Sequence, residues 1–171
     1  MNIIITGTRG LAAALSYEYK DHNVQCLSRE RFNIHSIVDW GQQFVHADML
    51  FNCAYDNDGQ FKVLEYFANM WNTCCDKTII TIGSMSADYP RLEKEKNNEF
   101  WPYRYHKKTL QEAVKDLRST CLCDLRIYNP GAIDTDMVKH LDVRKFDANL
   151  LACQIRKLNE IPGLKRADLW L

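Results

Sequence analysis

The stretch Asn2-Ile-Ile-Ile-Thr6-Gly-Thr-Arg-Gly10-Leu-Ala-Ala13 indicates the fold of this chain. It begins with a short run of β-branched apolar residues, which is typical of a buried strand. It ends in an Ala/Leu-rich helical pattern. A strand, a glycine turn and a helix start form a phosphate site, because glycines let the backbone approach a phosphate and the helix amides face its charge. A tight turn that merely joins strand to helix is the alternative.

Apolar runs alternate with helical patterns along the rest of the chain. The predicted strands cover about 2 to 6, 23 to 27, 49 to 53, 78 to 83, 123 to 128 and 166 to 171. The predicted helices cover about 11 to 21, 35 to 46, 60 to 74, 103 to 118 and 147 to 158. This alternation predicts an α/β fold, Rossmann-like and doubly wound, with a mainly parallel sheet of six to seven strands and helices on both faces. We expect residues 1–171 to form a single domain.

Composition excludes several classes of partner. The 22 basic and 22 acidic residues balance, which predicts no nucleic acid and no anionic membrane as partner. The first strand is too short to span a membrane and carries no basic leader, so we expect a cytoplasmic protein. The seven cysteines and five histidines show no metal-ligand spacing. We therefore expect reduced cysteines in the core and no metal site.

A tyrosine and a lysine stand four residues apart in Tyr103-Arg-Tyr-His-Lys107. On a helix they would lie on one face and project into the same cleft. A nearby ammonium stabilises phenolate, so we expect Lys107 to lower the pKa of Tyr103 from its usual value of about 10. Such a tyrosine can act as a general acid or base. An exposed helical face is the alternative for this common spacing.

Five segments, in order along nearly the whole chain, resemble the short-chain dehydrogenase/reductase family. They are the cofactor loop Thr6 to Gly10, the strand end Leu50 to Ala54, the serine-bearing strand Ile79 to Ser84, the pair Tyr103 and Lys107, and the Pro-Gly segment Asn129 to Met137. Each motif is weak singly. Their common order makes the resemblance specific.

The resemblance implies an NAD(P)-dependent oxidoreductase that transfers hydride between NADP(H) and a carbonyl or alcohol substrate. It implies catalytic roles for Ser84, Tyr103 and Lys107, with Ser86 and Tyr105 as weaker candidates. Family members commonly pair through the helices predicted here at 60 to 74 and 103 to 118, so a homodimer or homotetramer is expected. The implied cofactor contacts are Gly7, Thr8, Arg9, Gly10, Leu11, Ser28, Arg29, Asn33, Asn52, Ala54, Lys107, Pro130, Gly131, Ile133 and Thr135.

The chain also departs from the family pattern. Its loop has the spacing Gly-x-x-Gly-x-x-Ala of extended or atypical members, with Ala13 expected where helix meets strand. Tyr55 replaces the usual glycine of the strand-end motif. The segment of 32 positions from Asn52 to Ser84 is tighter than usual. Asn57 and Gln60 are candidates for the family's fourth catalytic residue, an asparagine, and plain helix-start residues are the alternative.

Two further segments differ in length or polarity. The stretch from Ser28 to Ile34 is too short to hold the helix that usually follows the second strand, so we expect the family's third strand to be vestigial at best. The polar segment from Asp88 to Phe100 is expected to be a solvated loop, and a border of the substrate site is the alternative.

The residues after the second predicted strand favour NADP(H), with NAD(H) as the alternative. An NAD-specific site places a carboxylate there. This chain has Ser28 and Arg29, with Arg9 nearby in the glycine loop, and arginine forks match phosphate geometry. Glu30 would favour NAD were the strand one residue longer, and its pairing with Arg29 is a further alternative. Asn33 stands where the family usually has the aspartate that meets adenine, or it caps the next helix.

Two rival functions stay open. The glycine loop also resembles that of nucleotide-sugar epimerases and sugar reductases. A non-catalytic dinucleotide-binding sensor would use the same fold without turnover, although it has no need of the serine, tyrosine and lysine together.

Overall fold

The computed structural model describes residues 1–88, 100–135, 138–140 and 142–170. Six strands form one sheet in the order β2-β1-β3-β4-β5-β6, and every neighbouring pair is parallel. The strands are β1 (Asn2–Thr6), β2 (Asn23–Leu27), β3 (Met49–Asn52), β4 (Thr78–Ile82), β5 (Asp124–Pro130) and β6 (Arg166–Leu169). The predicted α/β class is confirmed.

Helices connect the strands and cover both faces of the sheet. They are α1 (Leu11–Glu18), α2 (Ile37–Trp40), α3 (Gly59–Met70), α4 (Trp101–Leu117) and α5 (Ala148–Asn159). Short 3-10 helices at Ile34–Ser36 and Gly41–Phe44 flank α2, so the helix predicted at 35 to 46 is broken into short turns. Residues 28–48 contain no strand, as the shortness of the stretch after β2 predicts.

Alternation along the strands divides the core into two layers. Successive side chains of a strand point to opposite faces of the sheet. Ile4 and Leu50 therefore pack with α3 and α4, whereas Ile5 and Phe51 pack with α1 and α5. The two helical layers fix the carboxyl edge of the sheet between them.

The seven cysteines differ in how deeply they are buried. Cys123 is buried, Cys75 is exposed and the other five cysteines are half-buried, so the core interpretation holds only in part, and all seven are free thiols. Residues 89–99 of the polar segment, and Asp136 and Met137 of the Pro-Gly segment, lie outside the described residues.

Within the described ranges, none of the helices is long and apolar enough to cross a membrane. The same ranges hold no group of three or more acidic, histidine or cysteine side chains suited to a metal ion.

Candidate functional site

The carboxyl ends of the parallel strands meet at one edge of the sheet. The chain order reverses at β1, which has β2 on one side and β3 on the other. In open α/β sheets, ligands bind outside the carboxyl ends at such a switch point. Every segment named by the sequence analysis as part of the site leaves the sheet at this edge.

The glycine loop follows β1 and adopts conformations that require glycine. Gly7 has φ +100°, and Gly10, which directly precedes α1, has φ +53°. A Cβ on Gly10 would lie 2.9 Å from Cγ2 of Thr135, so the loop and the Pro-Gly segment meet closely. Thr8 and Arg9 are exposed, whereas Leu11 is buried. The result is a backbone cradle at a helix N-terminus that suits a pyrophosphate.

The position expected for Ala13 is wrong. Ala13 is exposed, whereas Ala12 and Ala14 are buried against the sheet. A Cβ on Gly7 would contact Cβ of Ala12 at 3.4 Å. The close helix-to-strand contact is thus made one residue before Ala13, because α1 turns position 13 towards solvent.

The strand-end motif is held in place by hydrogen bonds. Oγ1 of Thr6 accepts from the backbone N–H groups of Cys53 (2.9 Å) and Ala54 (3.0 Å). Asn52 is fully buried, and its Nδ2 donates to the Gln60 carbonyl at 2.8 Å. The structure therefore does not bring the Asn52 side chain to the ligand-facing surface, and it gives Asn52 a role in fixing the start of α3.

Ser84, Tyr103 and Lys107 converge at the ends of β4 and α4. Ser84 lies close enough to Tyr103 for its side chain to lower the pKa of the tyrosine. Oγ of Ser84 also lies 2.9 Å from Oγ of Ser86 and accepts from the Ser86 N–H at 3.2 Å. Ser86 therefore supports Ser84. Tyr105 is 52% exposed on the outer side of α4.

Lys107 is 3% exposed, and its amine is held by two acceptors. Nζ donates to Gln60 Oε1 at 2.7 Å and to the Ile82 carbonyl at 2.8 Å. It lies 5.5 Å from the ring centroid of Tyr103. Burial lowers the pKa of Lys107 to about 7.

The expected lowering of the Tyr103 pKa is wrong for the protein without ligand. Burial raises the pKa of Tyr103, and the hydrogen bond with Ser84 opposes that rise. The Lys107 amine donates its hydrogen bonds to Gln60 and to the Ile82 carbonyl, and none of these bonds goes to the Tyr103 hydroxyl. The phenol is thus kept in its protonated form.

Gln60, and not Asn57, is connected to these residues. Nε2 of Gln60 donates to the Asn52 carbonyl (2.6 Å) and the Ile82 carbonyl (2.9 Å), while its Oε1 holds Lys107. Asn57 is exposed with φ +48°, a left-handed conformation that asparagine tolerates better than most residues. Of the two candidates, Gln60 is the one that hydrogen-bonds Lys107, a candidate catalytic residue.

Tyr55 closes one side of the site. Its ring packs against that of Tyr103 in a T-shaped arrangement with centroids 4.8 Å apart. Its hydroxyl lies 3.2 Å from Nδ1 of His106. A cavity of about 190 Å³ opens beside these residues between α3 and α4, and Lys107 forms part of its lining. The aromatic side chain at position 55 therefore narrows access to the lysine.

Sequence reasoning missed one polar contact and one close approach at the end of the serine-bearing strand. Nε2 of the buried Gln111 donates to the Ser84 carbonyl at 3.1 Å. Gln111 lies four residues after Lys107, so a polar residue continuing a buried helical row was the available signal. A Cβ on Gly83 would come 1.9 Å from Oδ1 of Asn129, so glycine lets β4 approach β5 here.

The Pro-Gly segment leaves β5 beside this group. Pro130 is buried at the end of β5, and the Gly131 N–H donates to the Leu169 carbonyl at 3.1 Å. Ile133 forms an isolated parallel bridge with Phe146. These contacts fix the segment beside β6 and Phe146, and Thr135 at its far end lies next to Gly10 of the glycine loop.

The residues expected at the adenosine end of a cofactor are Ser28, Arg29 and Asn33. Ser28 is half-buried, and Arg29 pairs with Asp56 across 2.8 Å, not with Glu30. Asn33 Oδ1 accepts from the His35 N–H at 3.0 Å, which makes Asn33 a helix cap. A carbonyl oxygen can accept a second hydrogen bond, so an adenine contact from Asn33 stays a prediction.

Solved structures share this fold, while no protein-family model and no curated protein matches the chain. A short-chain dehydrogenase from Burkholderia cenocepacia, solved with NADP, is 16% identical with TM-score 0.77 over 99% of this chain and 88% of that one. The 3-alpha-hydroxysteroid dehydrogenase of Pseudomonas sp., solved with NADH, is 16% identical with TM-score 0.71 over 98% of this chain and 95% of that one. A GDP-L-fucose synthetase from Naegleria fowleri is 16% identical with TM-score 0.61 over 77% of this chain and 49% of that one. The predicted short-chain dehydrogenase/reductase resemblance is thus confirmed at the level of the fold.

Proposed function

We propose that the protein is an NAD(P)-dependent oxidoreductase of the short-chain dehydrogenase/reductase type, acting on a carbonyl or alcohol substrate. The observation that carries this proposal is the convergence of three side chains, with Lys107 Nζ 5.5 Å from the centroid of the Tyr103 ring and Ser84 close enough to oppose the rise of the tyrosine pKa. The glycine loop lies at the same edge of the sheet. In this proposal, residues 1–171 form one domain that carries both the cofactor site and the catalytic residues.

The glycine loop and the Pro-Gly segment would hold the cofactor. Thr8 to Gly10 and the start of α1 offer backbone amides for the pyrophosphate, whereas the Gly7 N–H donates to the Leu27 carbonyl at 2.9 Å. The contact of Gly10 with Thr135 leaves no room for a side chain at position 10. Ala54, Pro130, Gly131 and Ile133 border the same edge. When bound, the nicotinamide supplies hydride for the substrate carbonyl carbon.

Tyr103 is the proposed general acid. Its raised pKa keeps the phenol protonated near neutral pH, so it can donate a proton to a carbonyl oxygen. Ser84 would hydrogen-bond the same oxygen and fix its position. Protonation of the substrate is therefore the direction that the ligand-free site favours.

Lys107 is proposed to orient the cofactor and to support the tyrosine. Its ammonium form has three N–H donors, of which Gln60 Oε1 and the Ile82 carbonyl use two. The third donor is left for the nicotinamide ribose or for the phenol. Because the pKa of Lys107 is about 7, the group changes its charge near neutral pH.

NADP(H) is the proposed cofactor, with NAD(H) as second choice. The positions after β2 hold a hydroxyl and a guanidinium, Ser28 and Arg29, where an NAD-specific site needs a carboxylate. The Arg29 side chain is 83% exposed and so within reach of a ligand. Titration of NADPH and NADH into the parent and Arg29→Ala tests the preference. Tighter NADH binding by the parent, or no loss of NADPH affinity in the variant, would contradict it.

The rival classes have less support. The match to the GDP-L-fucose synthetase covers 49% of that chain, against 88% for the Burkholderia cenocepacia dehydrogenase. A sensor without turnover would not require Ser84, Tyr103 and Lys107 to lie together. A nucleotide sugar should therefore be included in the substrate screen, so that its turnover in preference to simple carbonyls would favour the rival enzyme class.

We also propose that the chain pairs as a homodimer or homotetramer through α3 and α4, and that it works in the cytoplasm. The outer side of α4 presents Tyr105, which is 52% exposed. Seven free thiols suit a reducing compartment. Light scattering of the purified chain tests the assembly, because a monomer at all concentrations would contradict it.

The function is tested by a screen of aldehydes, ketones and alcohols with purified protein. Nicotinamide absorbance is followed with both cofactors, and reactions without protein or without substrate serve as controls. We expect the nicotinamide absorbance to change in a substrate-dependent way with at least one class of carbonyl or alcohol. Failure of the protein to bind either cofactor would overturn it.

A further inference from the structure

We propose that Asp56 sets how tightly the cofactor's 2′-phosphate is bound, by competing with that phosphate for Arg29. This inference rests on the proposed function. Nη2 of Arg29 lies 2.8 Å from Oδ2 of Asp56. The Asp56 side chain is 27% exposed, against 83% for Arg29, so the arginine is the partner with more freedom to turn to a ligand.

The ion pair lies across the adenosine end of the site. Arg29 follows β2, whereas Asp56 follows β3. Since β1 lies between these two strands, the pair crosses the carboxyl end of β1, close to where the glycine loop begins. At this switch point the sheet would receive a dinucleotide. A ligand phosphate that reaches Arg29 must therefore share the guanidinium with the Asp56 carboxylate.

Asp56 is fixed from several sides. Its backbone carbonyl accepts from the Gly59 N–H at 2.9 Å at the entrance to α3. Its Oδ2 lies 3.4 Å from Nε2 of His35, whose Nδ1 lies 3.4 Å from Oδ1 of Asp58. The carboxylate thus stays near the groove when Arg29 turns away.

The Asp56 carboxylate would affect the binding of NADPH and of NADH differently. A 2′-phosphate forms charge-assisted bonds with Arg29 but meets the negative charge of Asp56 at close range. The ribose hydroxyl of NADH brings no such charge. Asp56 therefore lowers the affinity for NADPH selectively and tempers the preference that Ser28 and Arg29 establish.

The test compares Asp56→Asn with Asp58→Asn. Both variants remove one carboxylate next to His35, but Asp58 pairs with Lys62 at 3.0 Å and not with Arg29. NADPH and NADH are titrated into each protein by fluorescence, at low and high salt. We expect Asp56→Asn to bind NADPH about fivefold more tightly at low salt, with a smaller gain at high salt. NADH affinity, and both affinities of Asp58→Asn, should stay within about twofold of the parent.

A second pair of proteins isolates the role of the arginine. In an Arg29→Ala background, adding Asp56→Asn should leave NADPH affinity within about twofold, because the partner in the competition is gone. The inference is overturned if Asp56→Asn leaves NADPH affinity unchanged, tightens NADH equally, or behaves like Asp58→Asn. A parent that binds neither cofactor overturns the proposed function and this inference together. A parent that binds NADPH while Asp56→Asn shows no gain overturns the inference alone.

Discussion

Lys107 Nζ donates a hydrogen bond to Gln60 Oε1 at 2.7 Å in a region where Gln60 is 2% and Lys107 3% exposed. Gln60 is itself anchored through Nε2 to the carbonyls of Asn52 and Ile82. The amide therefore ties the lysine to the ends of β3 and β4. We infer that Gln60 is a positioning residue that acts through Lys107.

Gln60→Glu should shift the pH dependence of turnover. A carboxylate beside Lys107 favours the ammonium and raises its pKa, so the limb of the profile that follows Lys107 moves to higher pH. Gln60→Leu removes the acceptor and should lower kcat about tenfold or more through misplacement of the lysine. An unchanged pH profile in Gln60→Glu would show that Gln60 is merely structural.

The titration of Lys107 predicts a pH-dependent stability. Its folded pKa of about 7 lies below the ordinary value of 10.5. Between these values the unfolded chain binds more protons, so the free energy of unfolding rises with pH there and is flat below about pH 7. Lys107→Met should remove a slope of up to about 1.4 kcal/mol per pH unit. Urea unfolding of the parent and of Lys107→Met at about pH 7 and about pH 9 measures this slope.

Lys108→Met is the matched control for that experiment. Lys108 neighbours Lys107 in sequence, but its side chain is 41% exposed and pairs with Asp88 at 3.4 Å. The free energy of unfolding of Lys108→Met, plotted against pH, should stay parallel to that of the parent. Parallel curves for Lys107→Met as well would mean that the lysine keeps an ordinary pKa.

Gly10→Ala should damage cofactor binding beyond its effect on folding. Gly10 and Gly163 both have positive φ, +53° and +74°, so alanine at either costs about 1 kcal/mol of stability. Only at Gly10 would the new methyl group meet a neighbour, Thr135 Cγ2 at 2.9 Å. We expect at least about a tenfold loss of NADPH affinity for Gly10→Ala and less than about twofold for Gly163→Ala. Equal cofactor affinities of the two variants would exclude the proposed cradle.

Local sequence signals were sufficient for the fold. Apolar runs and helical periodicity located the strands and most helices, and the shortness of the stretch after β2 predicted the loss of a strand. The segment after β2 was harder, since a helical pattern there contains Gly41, whose Cβ would come 2.3 Å from the Tyr66 ring. Tertiary packing, not periodicity, decides where that helix is broken.

The site was predictable as a set of motifs but not as a network. Order along the chain selected Ser84, Tyr103 and Lys107, whereas the choice between Asn57 and Gln60 depended on which side chain reaches the lysine. The pairing of Arg29 with Asp56 joins residues that follow two different strands, so no local sequence pattern predicts it. The pKa of Tyr103 depends on burial, which spacing does not reveal.

Turnover by Tyr103→Phe tests the central claim most directly. The variant removes the transferable proton while it keeps the ring that packs against Tyr55. Tyr105→Phe, on the exposed side of α4, is the control. With a carbonyl substrate found in the screen, we expect Tyr103→Phe to lose turnover at least about 100-fold with NADPH affinity within about twofold, and Tyr105→Phe to match the parent. More than about a tenth of parental activity in Tyr103→Phe would contradict its role as the general acid.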